Sequence, residues 1–222
     1  MNKVVIAVDS FKGSLSTFQS AKAIEEGIKQ VFKDAQIHIS PVADGGEGTV
    51  DAIVSALKGT IVNCVVSDPL GRPIQASYGI AGDTAVLEMA AASGLPLLRV
   101  DERNPWVTST FGTGEMIMDA IARGCRKFLV GIGGSATNDA GMGMLQAMGF
   151  RFYDMNNELI TRGSGGVLGT IARIDDSLVS TAVKESVFIV ACDVDTPFCG
   201  PNGAAPVFAP QKGADVDMVS LL

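Results

Sequence analysis

The stretch KFLVGIGGSATNDAGMG, residues 127–143, decides how the fold of this sequence is interpreted. An apolar run typical of a β-strand leads into a loop rich in glycine, hydroxyl and carboxylate residues, and a helix is expected from about Asp139. Such a loop commonly binds phosphate, because glycine lets backbone N–H groups approach an anion and a helix N-terminus favours negative charge. The phosphate belongs either to a bound dinucleotide or to a group that is being transferred.

The dinucleotide interpretation rests on spacing. Gly131, Gly133 and Ala136 match G-x-G-x-x-[GA], and Asp154 lies 18 residues beyond Ala136, near the place of a ribose-binding acid. This pattern predicts a nicotinamide-dependent oxidoreductase. A third interpretation is a tight strand-to-helix turn that needs its glycines only for packing.

The polar side chains of the loop favour transfer. Ser135, Thr137, Asn138 and Asp139 supply hydroxyl, amide and carboxylate groups, which can position a phosphoryl group or Mg²⁺. The backbone of Gly133 and Gly134, with Ser135, is the predicted phosphate cradle. No G-x-x-x-x-G-K-[ST] motif occurs in the sequence, which excludes a standard P-loop.

Three more polar loops follow predicted strands. Open α/β sheets bind ligands at the carboxyl ends of their strands, so these loops are candidate site segments. They are DSFKGS with Asp9, Ser10 and Lys12, ADGGEGT with Asp44, Gly45, Gly46 and Glu47, and CDVDTP with Asp193 and Asp195. Alternation places the last two carboxylates on the same side, where Mg²⁺ would relieve their repulsion. Solvated loop residues and Asx turns are the structural alternatives.

Composition limits the classes of partner. The chain has 222 residues, 47% of them hydrophobic, and a net charge of −7, which argues against nucleic acid or an anionic membrane as a general partner. His38 is the only histidine, which removes a His-based zinc site and weakens any Ser-His-Asp triad. The sequence shows no signal-peptide pattern, no apolar run of membrane-spanning length and no C-x-x-C pair, which together predict a cytoplasmic protein with reduced thiols.

The order of predicted elements is that of an α/β protein. A strand at residues 3–9, a helix at 17–32 capped by Ser16 and Gln19, and a second strand and helix suggest a parallel layer, residues 1–68. Residues 69–222, after a boundary near Pro69, form a second α/β domain in which the strand KFLV, a helix and FRFYD make a βαβ-like unit. Pro206 interrupts the strand-like AAPVFAP and suggests an edge or a bulge.

The ordered set of motifs resembles the bacterial type-1 glycerate kinases. The matching segments are DSFKGSLS at 9–16, PVADGGEGT at 41–49, LEMAAASGL at 87–95, STFGTGE at 109–115, GIGGSATNDAGMGMLQAMG at 131–149, CDVDTPFCGPNGAA at 192–205 and FAPQKGA at 208–214. So many ordered motifs are far more specific than any single loop.

The resemblance implies ATP- and Mg²⁺-dependent phosphorylation of D-glycerate, usually to 2-phosphoglycerate, with 3-phosphoglycerate as the other product. It also implies two α/β domains around a cleft, one Rossmann-like and discontinuous, the other inserted. Carried over by position, Lys12, Asp44 and Asp193 are the catalytic candidates, and Asp193 and Asp195 are the metal candidates. The implied substrate- and phosphate-binding residues are Asp9, Ser10, Gly45, Gly46, Glu47, Gly133, Gly134, Ser135, Asn138 and Asp139.

Members of that family continue well past residue 222. The final ADVDMVSLL starts as a capped helix and stops on two leucines, so the chain is interpreted as the N-terminal portion of a longer protein. An inactive ligand-binding fragment is therefore an alternative to a working kinase, beside the oxidoreductase. The sequence leaves the oligomeric state and the pathway open.

Overall fold

The structure is a computed structural model that describes residues 3–11, 14–42, 45–46, 48–192 and 194–222. Its strands are Lys3–Ile6 (β1), Gln36–Ile39 (β2), Thr60–Ser67 (β3), Pro73–Ala81 (β4), Thr84–Glu88 (β5), Lys127–Gly131 (β6), Arg151–Tyr153 (β7), Arg173–Asp175 (β8) and Val187–Ala191 (β9). Its α-helices are Thr17–Val31 (α1), Thr49–Leu57 (α2), Ala90–Ser93 (α3), Phe111–Ala122 (α4), Met142–Ala147 (α5), Thr181–Lys184 (α6), Ala204–Phe208 (α7) and Val216–Leu221 (α8). Short 3₁₀ helices lie at Leu95–Leu97, Val100–Glu102, Gly165–Thr170 and Pro210–Lys212.

A five-stranded mixed sheet forms the centre of the fold. Its strand order is β3-β4-β5-β6-β9, with antiparallel pairing from β3 to β5 and parallel pairing from β5 to β9. β1 and β2 form a separate parallel pair, and β7 and β8 form a separate antiparallel pair. The architecture confirms the predicted α/β class.

Helix α4 covers the main core because its apolar residues recur at helical spacing. Met116, Ile117, Ala120 and Ile121 are all buried, as their periodicity predicts. The helix ends before Gly124, whose φ of +96° lies in the left-handed region that glycine adopts readily. Burial of these side chains against the sheet fixes the position of the loops that follow its strands.

A hydrogen bond between the buried Tyr78 and the half-buried Asp119 ties α4 to β4. The Tyr78 hydroxyl donates to the Asp119 carboxylate at 2.6 Å, and Arg123 donates to the same carboxylate at 2.8 Å. Burial raises the pKa of Tyr78, and the hydrogen bond to Asp119 raises it further. The buried phenol therefore stays protonated and satisfied inside an apolar cluster.

The N-terminal elements form largely where their local signals place them. Ser16 and Gln19 make the predicted reciprocal capping box, and α1 follows directly. α2 packs on the central sheet through Val50 and Val54, which contact Val86 of β5. Pro69 lies in the turn between β3 and β4, so the division at residue 68/69 stays a prediction.

Two expectations for the second half are wrong. β7 does not join β6 in a βαβ unit, because β7 pairs with β8 and the parallel neighbours of β6 are β5 and β9. Pro206 does not interrupt a strand, because residues 204–208 form helix α7. Pro206 is the third residue of that helix, where a backbone N–H needs no helical partner and proline is tolerated. The helix after the glycine loop begins at Met142, three residues later than expected.

No helix in the described part of the chain combines the length and apolar character that a membrane crossing requires.

Candidate functional site

The carboxyl ends of three parallel strands lie side by side. Glu88 at the end of β5 is in register with Gly131 of β6, and Gly131 is in register with Ala191 of β9. Polypeptide that leaves these strands must pass over the same edge of the sheet. This is the edge at which open α/β sheets bind ligands.

The loop after β2 crosses that edge in close contact with the strand ends. A Cβ on Gly45 would lie 2.8 Å from the Ala191 carbonyl oxygen, and a Cβ on Gly133 would lie 3.1 Å from Gly46 Cα. Gly131 has no room for a side chain either, because the Gly45 carbonyl occupies that space. The structure thus brings together the predicted segments around Gly45, Gly133 and the end of β9.

The first part of the glycine loop, residues 131–135, is called here the outer segment. Gly133 and Gly134 are exposed, and Gly134 has a φ of +73°. The segment is held by backbone pairing with residues 93–95, since Leu95 N–H donates to the Gly134 carbonyl at 2.9 Å. In the described part of the chain, the N–H groups of Gly133, Gly134 and Ser135 have no protein acceptor. They are therefore available to an anion.

The second part, residues 136–143, is called the inner segment and is organised around Asp139. The Asp139 carboxylate is 1% exposed and accepts from Thr110 N–H at 2.8 Å and Thr110 Oγ1 at 2.7 Å. It also accepts from the N–H groups of Gly141 at 3.3 Å and Gly143 at 3.1 Å. The N-terminus of α5, which sequence reasoning assigned to a phosphate, is therefore bound to the protein's own carboxylate.

The buried Lys212 side chain contacts both segments of the loop. Its ammonium donates to Ser135 Oγ at 2.7 Å and to the Thr137 carbonyl at 2.5 Å, and the residue is 6% exposed. Burial lowers the pKa of Lys212 to about 8, against a smaller opposite effect of the Asp139 charge. Sequence reasoning placed FAPQKGA among the family motifs but did not include this lysine among the site residues.

A cleft of about 190 Å³ opens beside the same strand ends. Its lining includes Ser10, Gly48 and Glu88 together with Thr17 and Ser16 at the start of α1. Glu88 accepts from Val50 N–H at 2.9 Å in the first turn of α2. The buried Thr17 hydroxyl has no hydrogen-bond partner among the described residues.

Thr17 and Glu88 are two of the cleft residues that sequence reasoning did not include among the site residues. Thr17 immediately follows the capping residue Ser16, and Glu88 lies in the LEMAAASGL motif, where a strand ends. The sequence did contain a signal for Glu88, because it is a polar residue at the end of a strand, like the residues of the other candidate loops. Thr17 gave no such signal, because its contact with Gly48 joins residues that are distant in the sequence.

Some of the other predicted site residues are described by the structure and some are not. Asp9 accepts from Ser10 N–H at 2.6 Å, while Asn138 is half-buried and Asp195 is exposed. Lys12, Asp44, Glu47 and Asp193 lie outside the described residues. The described residues contain no group of three or more metal-binding side chains, and the predicted Mg²⁺ ligands Asp193 and Asp195 stay a prediction.

The dinucleotide interpretation finds little support in this geometry. Asp154 accepts from the N–H groups of Asn156 at 2.9 Å and Glu158 at 2.8 Å, which makes it the organiser of a local turn. It follows β7, which pairs only with β8 in the described sheet topology, whereas a ribose-binding acid follows the strand next to the glycine loop.

Together the fold and the site define a mixed α/β protein with an exposed glycine loop at the carboxyl edge of its central sheet. Residues 4–222 match the glycerate kinase family. The chain is 52% identical to the glycerate kinase of Bacillus subtilis (strain 168) over 222 residues, which is 99% of this chain and 58% of that protein. It is 50% identical to the glycerate 2-kinase of Escherichia coli (strain K12) over 219 residues, 98% of this chain and 57% of that protein.

A solved structure supports the same assignment. The crystal structure of a protein designated glycerate kinase 2 from Salmonella typhimurium LT2 matches with a TM-score of 0.88 and 46% identity, over 99% of this chain and 59% of that one. This chain belongs to the glycerate kinase family. It spans a little under three fifths of the length of these relatives.

Proposed function

We propose that the protein containing this chain transfers a phosphoryl group from ATP to D-glycerate. The observation that carries the proposal is membership of residues 4–222 in the glycerate kinase family. The geometry supports it, because an anion-accepting glycine loop and a polar cleft adjoin the same sheet edge. Phosphoryl transfer depends mainly on positioning and on charge stabilisation, which such an arrangement supplies.

The two parts of the site suit the two substrates. We assign the phosphates of ATP to the outer segment, where exposed N–H groups lack protein acceptors. We assign glycerate to the cleft, where Thr17 and Ser16 offer hydroxyl groups and Glu88 lies at the strand end. Lys12, Asp44 and Asp193 remain the proposed catalytic residues. The remaining proposed binding residues are Asp9, Ser10, Gly45, Gly46, Glu47 and Asn138.

Mg²⁺ is part of the proposal as the ion that neutralises phosphate charge when it is bound. Asp193 and Asp195 follow β9 in the sequence and remain the proposed ligands, because carboxylate oxygens are the ligands that Mg²⁺ prefers. The proposed product is 2-phosphoglycerate, in keeping with the name of the Escherichia coli relative. A cytoplasmic location remains a proposal as well.

The test is ³¹P NMR of the whole protein with Mg-ATP and D-glycerate. The expected spectrum shows ADP together with 2-phosphoglycerate, and a 3-phosphoglycerate signal would correct the position of transfer alone. Absence of both products from the whole protein would overturn the proposed function. The same assay on the 222-residue chain separates a working site from a fragment that only binds its ligands.

A further inference from the structure

Lys212 is the one lysine or arginine that is buried among the described residues. Its ammonium has two neutral oxygen partners, Ser135 Oγ and the Thr137 carbonyl. Among the described residues it forms no ion pair with a carboxylate. Among the described residues, the carboxylate whose charge acts on Lys212 is Asp139, which is already bound by four N–H and O–H donors. A buried ammonium is expensive, so two neutral contacts alone do not explain why a lysine is used.

The hydrogen bond from Lys212 fixes the role of the Ser135 hydroxyl. Because Ser135 Oγ accepts from the ammonium, its own hydrogen remains to be donated elsewhere. Ser135 is half-buried and follows the exposed Gly133 and Gly134. A charged donor behind a hydroxyl strengthens that hydroxyl as a donor in turn.

We propose that Lys212 is the positioning residue of the outer segment, to which the phosphates of ATP are assigned above. The ligand meets the Ser135 hydroxyl and the N–H groups of Gly133 and Gly134. Lys212 does not contact the ligand itself. It holds the Ser135 hydroxyl in its donor orientation and supplies positive charge beneath the loop. The proposal deepens the kinase function proposed above and rests on it for the identity of the ligand.

Two features of the structure support this arrangement. Lys212 ends the 3₁₀ helix Pro210–Lys212, and the next residue, Gly213, has a φ of +96° and packs against the Arg103 backbone. The lysine is therefore held in place independently of the glycine loop. Its pKa of about 8 leaves the ammonium largely charged at neutral pH, as an anion site requires.

The test compares Lys212→Met, Ser135→Ala and the double variant with wild type in the whole protein. Lys184→Met is the matched control, because Lys184 forms an exposed ion pair with Asp176. We expect each single variant to raise the KM for ATP or lower kcat/KM for ATP by about 10-fold or more, as loss of a phosphate donor does. We expect the KM for glycerate to change little and the double variant to be no worse than Lys212→Met.

Ser135→Ala keeps the lysine and the backbone, so it tests the subsite even if Lys212→Met folds poorly. Wild-type ATP kinetics in Ser135→Ala, or additive losses in the double variant, would overturn the proposal. A merely structural lysine would lower the thermal midpoint in Lys212→Met and leave Ser135→Ala fully active.

Titration calorimetry with Mg-ADP separates this proposal from the proposed function. If the wild type binds Mg-ADP but makes no phosphoglycerate, the assignment of glycerate fails and the subsite is judged on binding alone. At least a 10-fold weaker affinity in both single variants then supports the subsite. Equal affinity in wild type and both variants overturns it.

Discussion

The outer and inner segments of the glycine loop are consecutive in sequence, but they differ in whether their backbone N–H groups have protein acceptors. The outer segment leaves the N–H groups of Gly133 and Gly134 without protein acceptors, at the surface. The inner segment binds its N–H groups at Gly141 and Gly143 to Asp139, which is 1% exposed. Polar groups in one loop therefore divide between those left without a protein partner, which we propose bind phosphate, and those that hold the loop itself.

The physical reason lies in where the charge is placed. A carboxylate inside the loop satisfies the N-terminus of α5 and removes it as a site for an external anion. A buried ammonium on the other side leaves the outer N–H groups and the Ser135 hydroxyl as donors. The comparison predicts that inner changes reduce stability first and that outer changes reduce phosphate binding first.

The largest effect on stability is expected for Asp139→Asn. The amide keeps one acceptor oxygen but places an NH₂ donor against Thr110 and Gly143, leaving buried donors unsatisfied. We expect a loss of about 3 to 5 kcal/mol in the free energy of unfolding. Urea denaturation followed by far-UV circular dichroism measures it.

Asp154→Asn is the matched control for that change. Asp154 also accepts two N–H bonds in a turn, but it lies near the surface, where water replaces lost partners. A loss below about 1 kcal/mol is expected there. Equal losses in the two variants would contradict the assignment of Asp139 as the buried organiser of the inner segment.

The second expected effect is a pH dependence of the free energy of unfolding. It arises from Lys212, which contacts both segments. Its folded pKa is about 8, below the ordinary value of 10.5, so between these values the unfolded chain binds more protons than the folded one. Stability contributed by this group therefore rises with pH across that window and is lowest below it. The change amounts to about 3 kcal/mol at most, at roughly 1.4 kcal/mol per pKa unit.

The measurement is the difference in unfolding free energy between wild type and Lys212→Met at several pH values from 7 to 11, roughly spanning the window set by the two pKa values. Burial raises the pKa values of Cys64 and Cys125 and that of Tyr78, so these groups act in the opposite direction at alkaline pH. Their contributions cancel in the difference, since both proteins contain them. A difference that does not change with pH would show that Lys212 is not a buried ammonium.

The smallest effect on stability is expected for Gly134→Ala in the outer segment. Gly134 has a φ of +73°, so an L-residue there costs about 1 to 2 kcal/mol of strain, whereas the added Cβ would make only an ordinary 3.5 Å contact with Ala90. Thermal unfolding measures the cost.

Gly169→Ala serves as the control for Gly134→Ala, because no atom lies within 4 Å of its added Cβ and its φ is not positive. A shift in Gly134→Ala no larger than in that control would show that the outer segment relaxes without cost. A shift in the range expected for Asp139→Asn would remove the distinction between the two segments.

Sequence reasoning succeeded where a local pattern decides the structure. The capping box at Ser16 and Gln19, the helical spacing around Met116 and Ile117, and the strand before Gly131 all fold as their residues predict. Each of these signals acts within a few residues, where backbone geometry and amphipathicity suffice.

It failed where distant segments compete for the same partner. The βαβ unit was wrong because β9, far along the chain, takes the place beside β6 that was expected for β7. The strand around Pro206 was wrong because an apolar run with one proline fits the first turn of a helix equally well. Asp139 was assigned to phosphate because composition does not reveal that its oxygens meet Thr110.

The sequence by itself determined the α/β class, the family resemblance and the loops that carry the polar chemistry, because these follow from short periodic and motif signals. Only the tertiary structure decided that Asp139 faces inward, that Lys212 comes within 2.7 Å of Ser135, and that Gly45 crosses the ends of β6 and β9. Lys212 and Ser135 lie 77 positions apart. Contacts over such separations depend on which strands pair and on how the core packs, and these are decided by the chain as a whole.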